Sequence, residues 1–172
     1  MRLKRIFPLL IIVVILVLPS CFKDNKSDDY SQWRELNQQF FNTKETEQID
    51  GVLIYQSLTP VWDNSFSILM RWHNNREETA NQLSPLSNST CYVKYTLTNI
   101  EGERLDSSAS FKCVPNSMVT GFMAAIMNMH VNDTVTAILP YTAGYGVTGY
   151  SSVLPYSTLI FGIRLDSISK LM

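Results

Sequence analysis

The chain has 172 residues, with 14 basic against 15 acidic side chains, three cysteines and two histidines. Residues 1–20 hold three of the basic residues and none of the acidic ones. Without them 152 residues remain at a net charge of −4, one domain's worth of chain with a mildly acidic surface. That balance argues against nucleic acid as partner, and His73 and His130 are too far apart to be paired metal ligands, so both are read as surface residues.

Arg2, Lys4 and Arg5 precede an apolar run from Ile6 to Leu18. Its 13 residues fall short of the roughly 20 that a spanning helix needs, but suit a secretory signal peptide over residues 1–20. Leu18-Pro19-Ser20-Cys21 resembles a bacterial lipobox. That resemblance implies a diacylated Cys21 as the mature N-terminus, held by palmitate-like chains in a bacterial cell envelope, periplasmic or surface-facing. Each buried methylene of such a chain contributes about 0.8 kcal/mol. The alternative is an ordinary signal peptide with a free cysteine nearby.

Residues 21–29 are polar and are read as a tether. From Tyr30 to about Lys44, Tyr30, Trp33, Leu36, Phe40 and Phe41 recur near every third or fourth position, which predicts an amphipathic helix capped by Asp28 or Asp29. It would pack on the domain or on a partner copy. Asp50-Gly51 ends this segment, and Val52 to Tyr55 begins a strand. Residues 51–172 form the domain, with an insertion at about 60–89. Within it Ser65 to Trp72 alternates as an extra strand, and His73 to Asn88, rich in Asn, Glu, Ser and Pro, reads as loop. From Cys91, the residues Cys91, Val93, Tyr95 and Leu97 point inward, and Glu101-Gly102 makes a turn. Cys91 and Cys113 both sit at core-facing strand positions, where a disulfide and two buried thiols are both open. Met118 to Met129 has helical spacing, and its methionines read as core packing. Asn132-Asp133 makes a turn, and Thr134 to Leu139 and Leu159 to Ile168 are strands. Together these predict an α+β fold, mostly antiparallel sheet with one short helix in the C-terminal part.

The C-terminal eighty residues also hold an ordered set: Tyr95, Gly102, Leu105-Asp106-Ser107-Ser108, Phe111, Met118-Val119, Phe122, Tyr145-Gly146, Leu154-Pro155 and Leu159-Ile160-Phe161. In order and spacing, from about Thr90 to Ser169, the set resembles the FKBP-type peptidyl-prolyl cis-trans isomerases. The resemblance implies a curved antiparallel sheet wrapped on a short helix, here with an extra N-terminal helix, and a pocket between sheet and helix. It implies catalytic roles for Tyr95, Asp106 and Tyr145. Substrate contacts would come from Leu105, Phe111, Met118, Val119, Phe122, Tyr150, Val153 and Phe161, with Phe122 as floor. No cofactor and no metal is implied, and the partners would be proline-containing polypeptides.

The residue types suit that chemistry. Rotation about a peptide bond faces a barrier of about 18–20 kcal/mol because resonance must be broken. No nucleophile is needed if an apolar pocket holds the twisted amide better than either planar form. Leu105 stands where the family usually has an aromatic residue, Phe122 where it commonly has Trp, and the run Leu154-Pro155-Tyr156 has one proline. These departures bear on catalytic strength and leave the fold intact. Core packing for Phe122 and a turn role for Asp106 are the bland alternatives. A non-catalytic FKBP-fold binding or chaperone lipoprotein is the rival function.

Overall fold

The computed structural model describes residues 29–169. The expected signal segment, Cys21 and the expected tether up to residue 28 lie outside the described residues. The alternating run that starts at Cys91 forms β5 (Thr90–Thr98), one strand in from the edge of a six-stranded sheet. It pairs with β6 (Arg104–Cys113) on one side and β8 (Leu159–Ser169) on the other. Beyond β8 come β7 (Thr134–Leu139), β4 (Ile68–Trp72) and β3 (Gln56–Leu58), in the order β3-β4-β7-β8-β5-β6, antiparallel throughout. The architecture is the expected α+β arrangement, a sheet with few helices and an added N-terminal one.

The inner face carries Cys91, Val93, Leu97, Ala137, Leu139, Ile163 and Leu165, all buried. Against it packs α3 (Thr120–Met127), with Phe122, Ala124, Ala125 and Ile126 buried. Burying a side chain such as Phe122 or Ile126 contributes roughly 1.5–3 kcal/mol. Gly121 allows the close approach, since a Cβ there would lie 2.5 Å from Leu139 Cγ and 2.9 Å from the Ala143 carbonyl oxygen. The helix starts two residues later than the spacing of Met118 to Met129 predicts. Pro115–Ser117 is a separate 3-10 turn, and Met118 and Val119 are extended (ψ 168° and 145°). Met129 is buried all the same.

Cys91 and Cys113 stand directly opposite each other in β5 and β6 as buried free thiols. Burial pushes their pKa values up to about 12 and about 11, with the neighbouring Cys113 adding to the effect on Cys91. A thiol so raised stays protonated and inert at neutral pH.

The outer face is half covered by α1 (Ser31–Thr46). Phe40 and Phe41 pack there against Leu69, Ile138, Ile160 and Tyr55. The helix follows Tyr30 directly, whose side chain makes no cap bond, and Asp28, one of the two expected caps, lies outside the described residues; the Arg34 N–H donates to the Tyr30 carbonyl at 2.8 Å. Its one buried residue is Asn37. The Asn37 Oδ1 accepts the Thr158 N–H at 2.6 Å, its Nδ2 donates to the Trp33 carbonyl at 2.8 Å, and its carbonyl accepts the Thr158 hydroxyl at 3.2 Å. Val52 to Tyr55 is not one strand. β1 (Gln48–Ile49) and β2 (Val52–Leu53) form a small hairpin on Asp50 and Gly51, both at positive φ (52° and 78°), and the main sheet is joined only from Gln56.

The stretch from His73 to Asn88 also differs from the loop expected, because it contains α2 (Arg76–Thr79). Asn75 Oδ1 accepts the Glu77 N–H at 3.1 Å, and Glu77 and Glu78 sit in the first turn, where they favour a helix start. The insertion is fastened to Asp133, whose carboxylate is wholly buried. Asp133 Oδ1 accepts the Thr79 hydroxyl at 2.5 Å and Asn74 Nδ2 at 2.9 Å, while Oδ2 accepts the His130 N–H at 2.7 Å. Arg76 lies 3.5 Å from the same carboxylate and 3.8 Å above the Trp72 ring. Burial alone would raise the Asp133 pKa. The donors from Thr79, His130 and Asn74, with Arg76, outweigh it and hold the pKa below the usual carboxylate value. His130 is therefore not a simple surface residue: its ring is half-buried, 3.1 Å from Arg76 and 3.5 Å from Asp133.

Candidate functional site

A register shift between Val93 and Tyr95 places one extra residue on β6, since Val93 pairs with Phe111 but Tyr95 with Ser108. Such a bulge re-aims side chains locally. Tyr95 here reaches along the hairpin to Asp106, its hydroxyl donating to Asp106 Oδ2 at 2.5 Å. Asp106 Oδ1 accepts the Ser107 N–H at 2.7 Å. The Tyr95 hydroxyl is held well above the ordinary tyrosine pKa, first by burial and then by its bond to Asp106. Beneath it lies an aromatic cluster. The Tyr95 ring meets Phe111 edge-on at 5.3 Å and Phe122 at 6.4 Å, and Phe122 meets Phe161 edge-on at 5.1 Å. Each such pair adds about 0.5–1.5 kcal/mol beyond the area it buries.

The other wall is the loop between β7 and β8. The Gly146 N–H donates to the Tyr141 carbonyl at 2.9 Å, and the Tyr156 N–H to the Gly146 carbonyl at 2.9 Å. Tyr150 and Val153 exchange N–H···O bonds at 3.0 and 2.8 Å. Gly149 is required at the entry to this small ring: its φ is +69°, and a Cβ would sit 2.3 Å from the Val153 carbonyl oxygen. The loop stacks Tyr145 on Tyr150, with centroids 5.2 Å apart and planes 17° apart. The Tyr145 hydroxyl is also raised above its ordinary pKa, by burial first and then by Tyr150 and Asp106.

Five residues expected at the site, Leu105, Asp106, Tyr145, Tyr150 and Val153, line one cleft of about 290 Å3. Tyr95, Phe122 and Phe161 lie in the aromatic cluster, with Phe122 only 1% exposed. The floor therefore belongs to the core as it stands, and the opening sits above it. Phe111, Met118 and Val119 are half-buried against that core and do not line the cleft. Val119 is the N-cap of α3, and its N–H has no acceptor among the described residues. Ser151 and Ser152 also line the cleft and were not anticipated. The signal for them is their place between Tyr150 and Val153.

A larger hollow of about 540 Å3 lies over Thr96, Thr136 and Gly162 on the open half of the outer face. Its two cations, Lys94 and Arg164, are both drawn to Asp166, at 3.8 and 3.0 Å. The smaller cleft is the better candidate because the Tyr145 hydroxyl, with its raised pKa, and the Asp106 carboxylate, which accepts the Tyr95 hydroxyl, meet there. Among the described residues no group of three potential metal ligands occurs, and no helix is long and apolar enough to cross a membrane.

Comparison with known proteins agrees with this fold. The family model for FKBP-type peptidyl-prolyl cis-trans isomerases matches residues 82–166. The macrophage infectivity potentiator of Trypanosoma cruzi is 34% identical over 92 residues, 49% of this chain and 46% of that protein. The chain thus spans about half the length of this curated relative. Among solved structures, a peptidyl-prolyl cis-trans isomerase from Pseudomonas syringae superposes with a TM-score of 0.68 at 20% identity, covering 82% of this chain and 96% of that one. FkpA from Escherichia coli superposes with a TM-score of 0.70 at 16% identity, covering 83% and 62%. At these identities the two structures speak to the fold, and the matched sequence speaks to descent. Residues 82–166 of this chain thus match the FKBP-type peptidyl-prolyl cis-trans isomerase family.

Proposed function

We propose that this chain is a membrane-anchored peptidyl-prolyl cis-trans isomerase that acts on proline-containing segments of exported proteins. The observation that carries the activity is the convergence of Tyr145, Asp106 and Leu105 on one cleft above the Tyr95–Phe122–Phe161 cluster. A prolyl amide in that cleft loses water, which favours the twisted and less resonance-stabilised form over the planar ones. The Tyr145 hydroxyl, kept protonated by its raised pKa, donates to the substrate carbonyl. Asp106 holds the Tyr95 ring in place as a wall. Anchoring is supported by Leu18-Pro19-Ser20-Cys21 alone.

Uncatalysed X-Pro exchange takes tens to hundreds of seconds, so an Xaa-Pro-Phe peptide gives a direct assay. Wild type accelerates the exchange, and Tyr145→Phe combined with Asp106→Ala removes most of that acceleration. Equal rates for wild type, variant and buffer would sink the enzymatic reading. For the anchor, Cys21→Ser moves the protein from the membrane fraction to the soluble fraction; unchanged fractionation would remove the lipid claim. The second reading, a non-catalytic binding or chaperone lipoprotein on the same fold, is favoured by the near-complete burial of Phe122. Peptide capture without acceleration selects it.

A further inference from the structure

The cleft beside Tyr145 does not end at Leu105 and Ser152. The same two residues also line a second hollow, of about 90 Å3, on their far side. Its remaining walls are the Trp33 side chain of α1, the turn from Asn99 to Glu103, and the segment holding Leu154 and Ser157. Trp33 is fixed there, because its indole N–H donates to Ser157 Oγ at 3.1 Å and the Ser157 hydroxyl donates to the Leu154 carbonyl at 2.8 Å. The turn is fixed as well. The buried Asn99 Oδ1 accepts the N–H groups of Glu101 and Glu103 at 3.0 and 2.9 Å, and its Nδ2 donates to Glu103 Oε2 at 3.2 Å. The two hollows form one groove with a rigid aromatic wall and three carboxylates, those of Glu101, Glu103 and Asp106. No lysine or arginine lines it, and neither glutamate is in an ion pair among the described residues.

Resting on the isomerase reading above, we propose that this extension is a specificity subsite for polypeptides carrying arginine or lysine beside the prolyl residue. An extended chain advances about 3.3–3.6 Å per residue, so a side chain one or two positions from the proline spans from the cleft to Trp33. Its stem crosses the indole and its cation faces Glu101 and Glu103. Arginine is favoured over lysine, since a planar guanidinium stacks on an aromatic face while donating to two carboxylates. Trp33 lies outside residues 82–166, so α1 brings the subsite to the family domain. Both glutamates are exposed, so the preference is of modest size, about five-fold, and it weakens with salt.

The test compares Xaa-Pro-Phe peptides with arginine, alanine or glutamate beside the proline, using the full chain in detergent. The expected order of kcat/KM at low ionic strength is arginine, alanine, glutamate, with the spread collapsing in 1 M salt (Debye length about 3 Å). In Glu101→Gln/Glu103→Gln the arginine-to-glutamate ratio falls to about one, and Trp33→Leu lowers the arginine rate more than Trp33→Phe does. Equal acceleration of all three peptides overturns the subsite and leaves the isomerase reading standing. If no peptide is turned over, the isomerase reading fails, and equilibrium affinities for the same peptides decide the subsite in the same order.

Discussion

The two longer helices sit on opposite faces of one sheet and are held by different forces. α3 has eight residues and buries five of them, all glycine or apolar. α1 has sixteen and buries one, an asparagine. The inner helix is fixed by removing apolar surface from water, the outer one by the half-buried rings of Phe40 and Phe41 together with a few directed bonds from Asn37, Trp33 and Arg34. The inner face therefore sets the stability of the fold, and the outer face sets where a separable element rests.

Breaking the inner side is expected to cost most. Phe122→Ala removes the largest wholly buried ring and should destabilise the domain by about 3–5 kcal/mol, read as a lowered denaturation midpoint. Phe41→Ala, half-buried on the outer face, should cost clearly less, and equal costs would erase the contrast. Alkaline pH is a second strain on the inner side. The thiols of Cys91 and Cys113 rise from 9.0 to about 12 and about 11 in the fold, and the Tyr95 hydroxyl also rises. The unfolded chain thus loses these protons first. Their contribution is full below about pH 9 and drains away as pH climbs toward 11–12, which a pH series of denaturant melts will follow. Cys91→Ala/Cys113→Ala should flatten that decline.

The outer side breaks more locally. Asn37→Ala strands the buried Thr158 N–H, for a cost of about 1–3 kcal/mol. Hydrogen exchange should quicken in α1 and around Thr158 while β5 and β8 keep their protection; uniform loss would mean that α1 is integral to the core. The smallest effect is expected from Arg34→Ala. Arg34 lies over the rings of Tyr141 and Tyr156 at 5.7 and 5.1 Å, and at an exposed site such contacts contribute about 0.5–1 kcal/mol. A shift of a few degrees or less in the melting temperature is the outcome to check.

Much of the inner face was legible from alternation alone. Cys91 to Leu97, Thr134 to Leu139 and Leu159 to Ile168 read as strands because one face of each run is apolar, and Asn132 does take the left-handed backbone at φ 76°. The outer face was harder. Val52 to Tyr55 has strand-like residues, yet Asp50-Gly51 folds the chain back on Gln48–Ile49 before any sheet contact is reached. The four residues of α2 are too short to show a period, although Asn75 ahead of Glu77 and Glu78 was a readable cap. Asn37 offered no signal at all, since a buried polar residue is defined by a partner 121 positions away. At the site, the tyrosines and Asp106 stood out by type and spacing. What could not be read was depth: whether Phe122 faces an opening or closes against Phe161 depends on packing between strands distant in sequence.

Asp133 has a reach that its position in a tight turn conceals. One carboxylate collects donors from two points of the insertion, Asn74 and Thr79, and from His130 at the end of the α3 segment, so the insertion and that segment share a single knot. Because its pKa is depressed in the fold, the knot is at full strength above about pH 4 and slackens as acid protonates it. Acid thus acts on an interior joint, and the parts it loosens together are the insertion and the approach to β7.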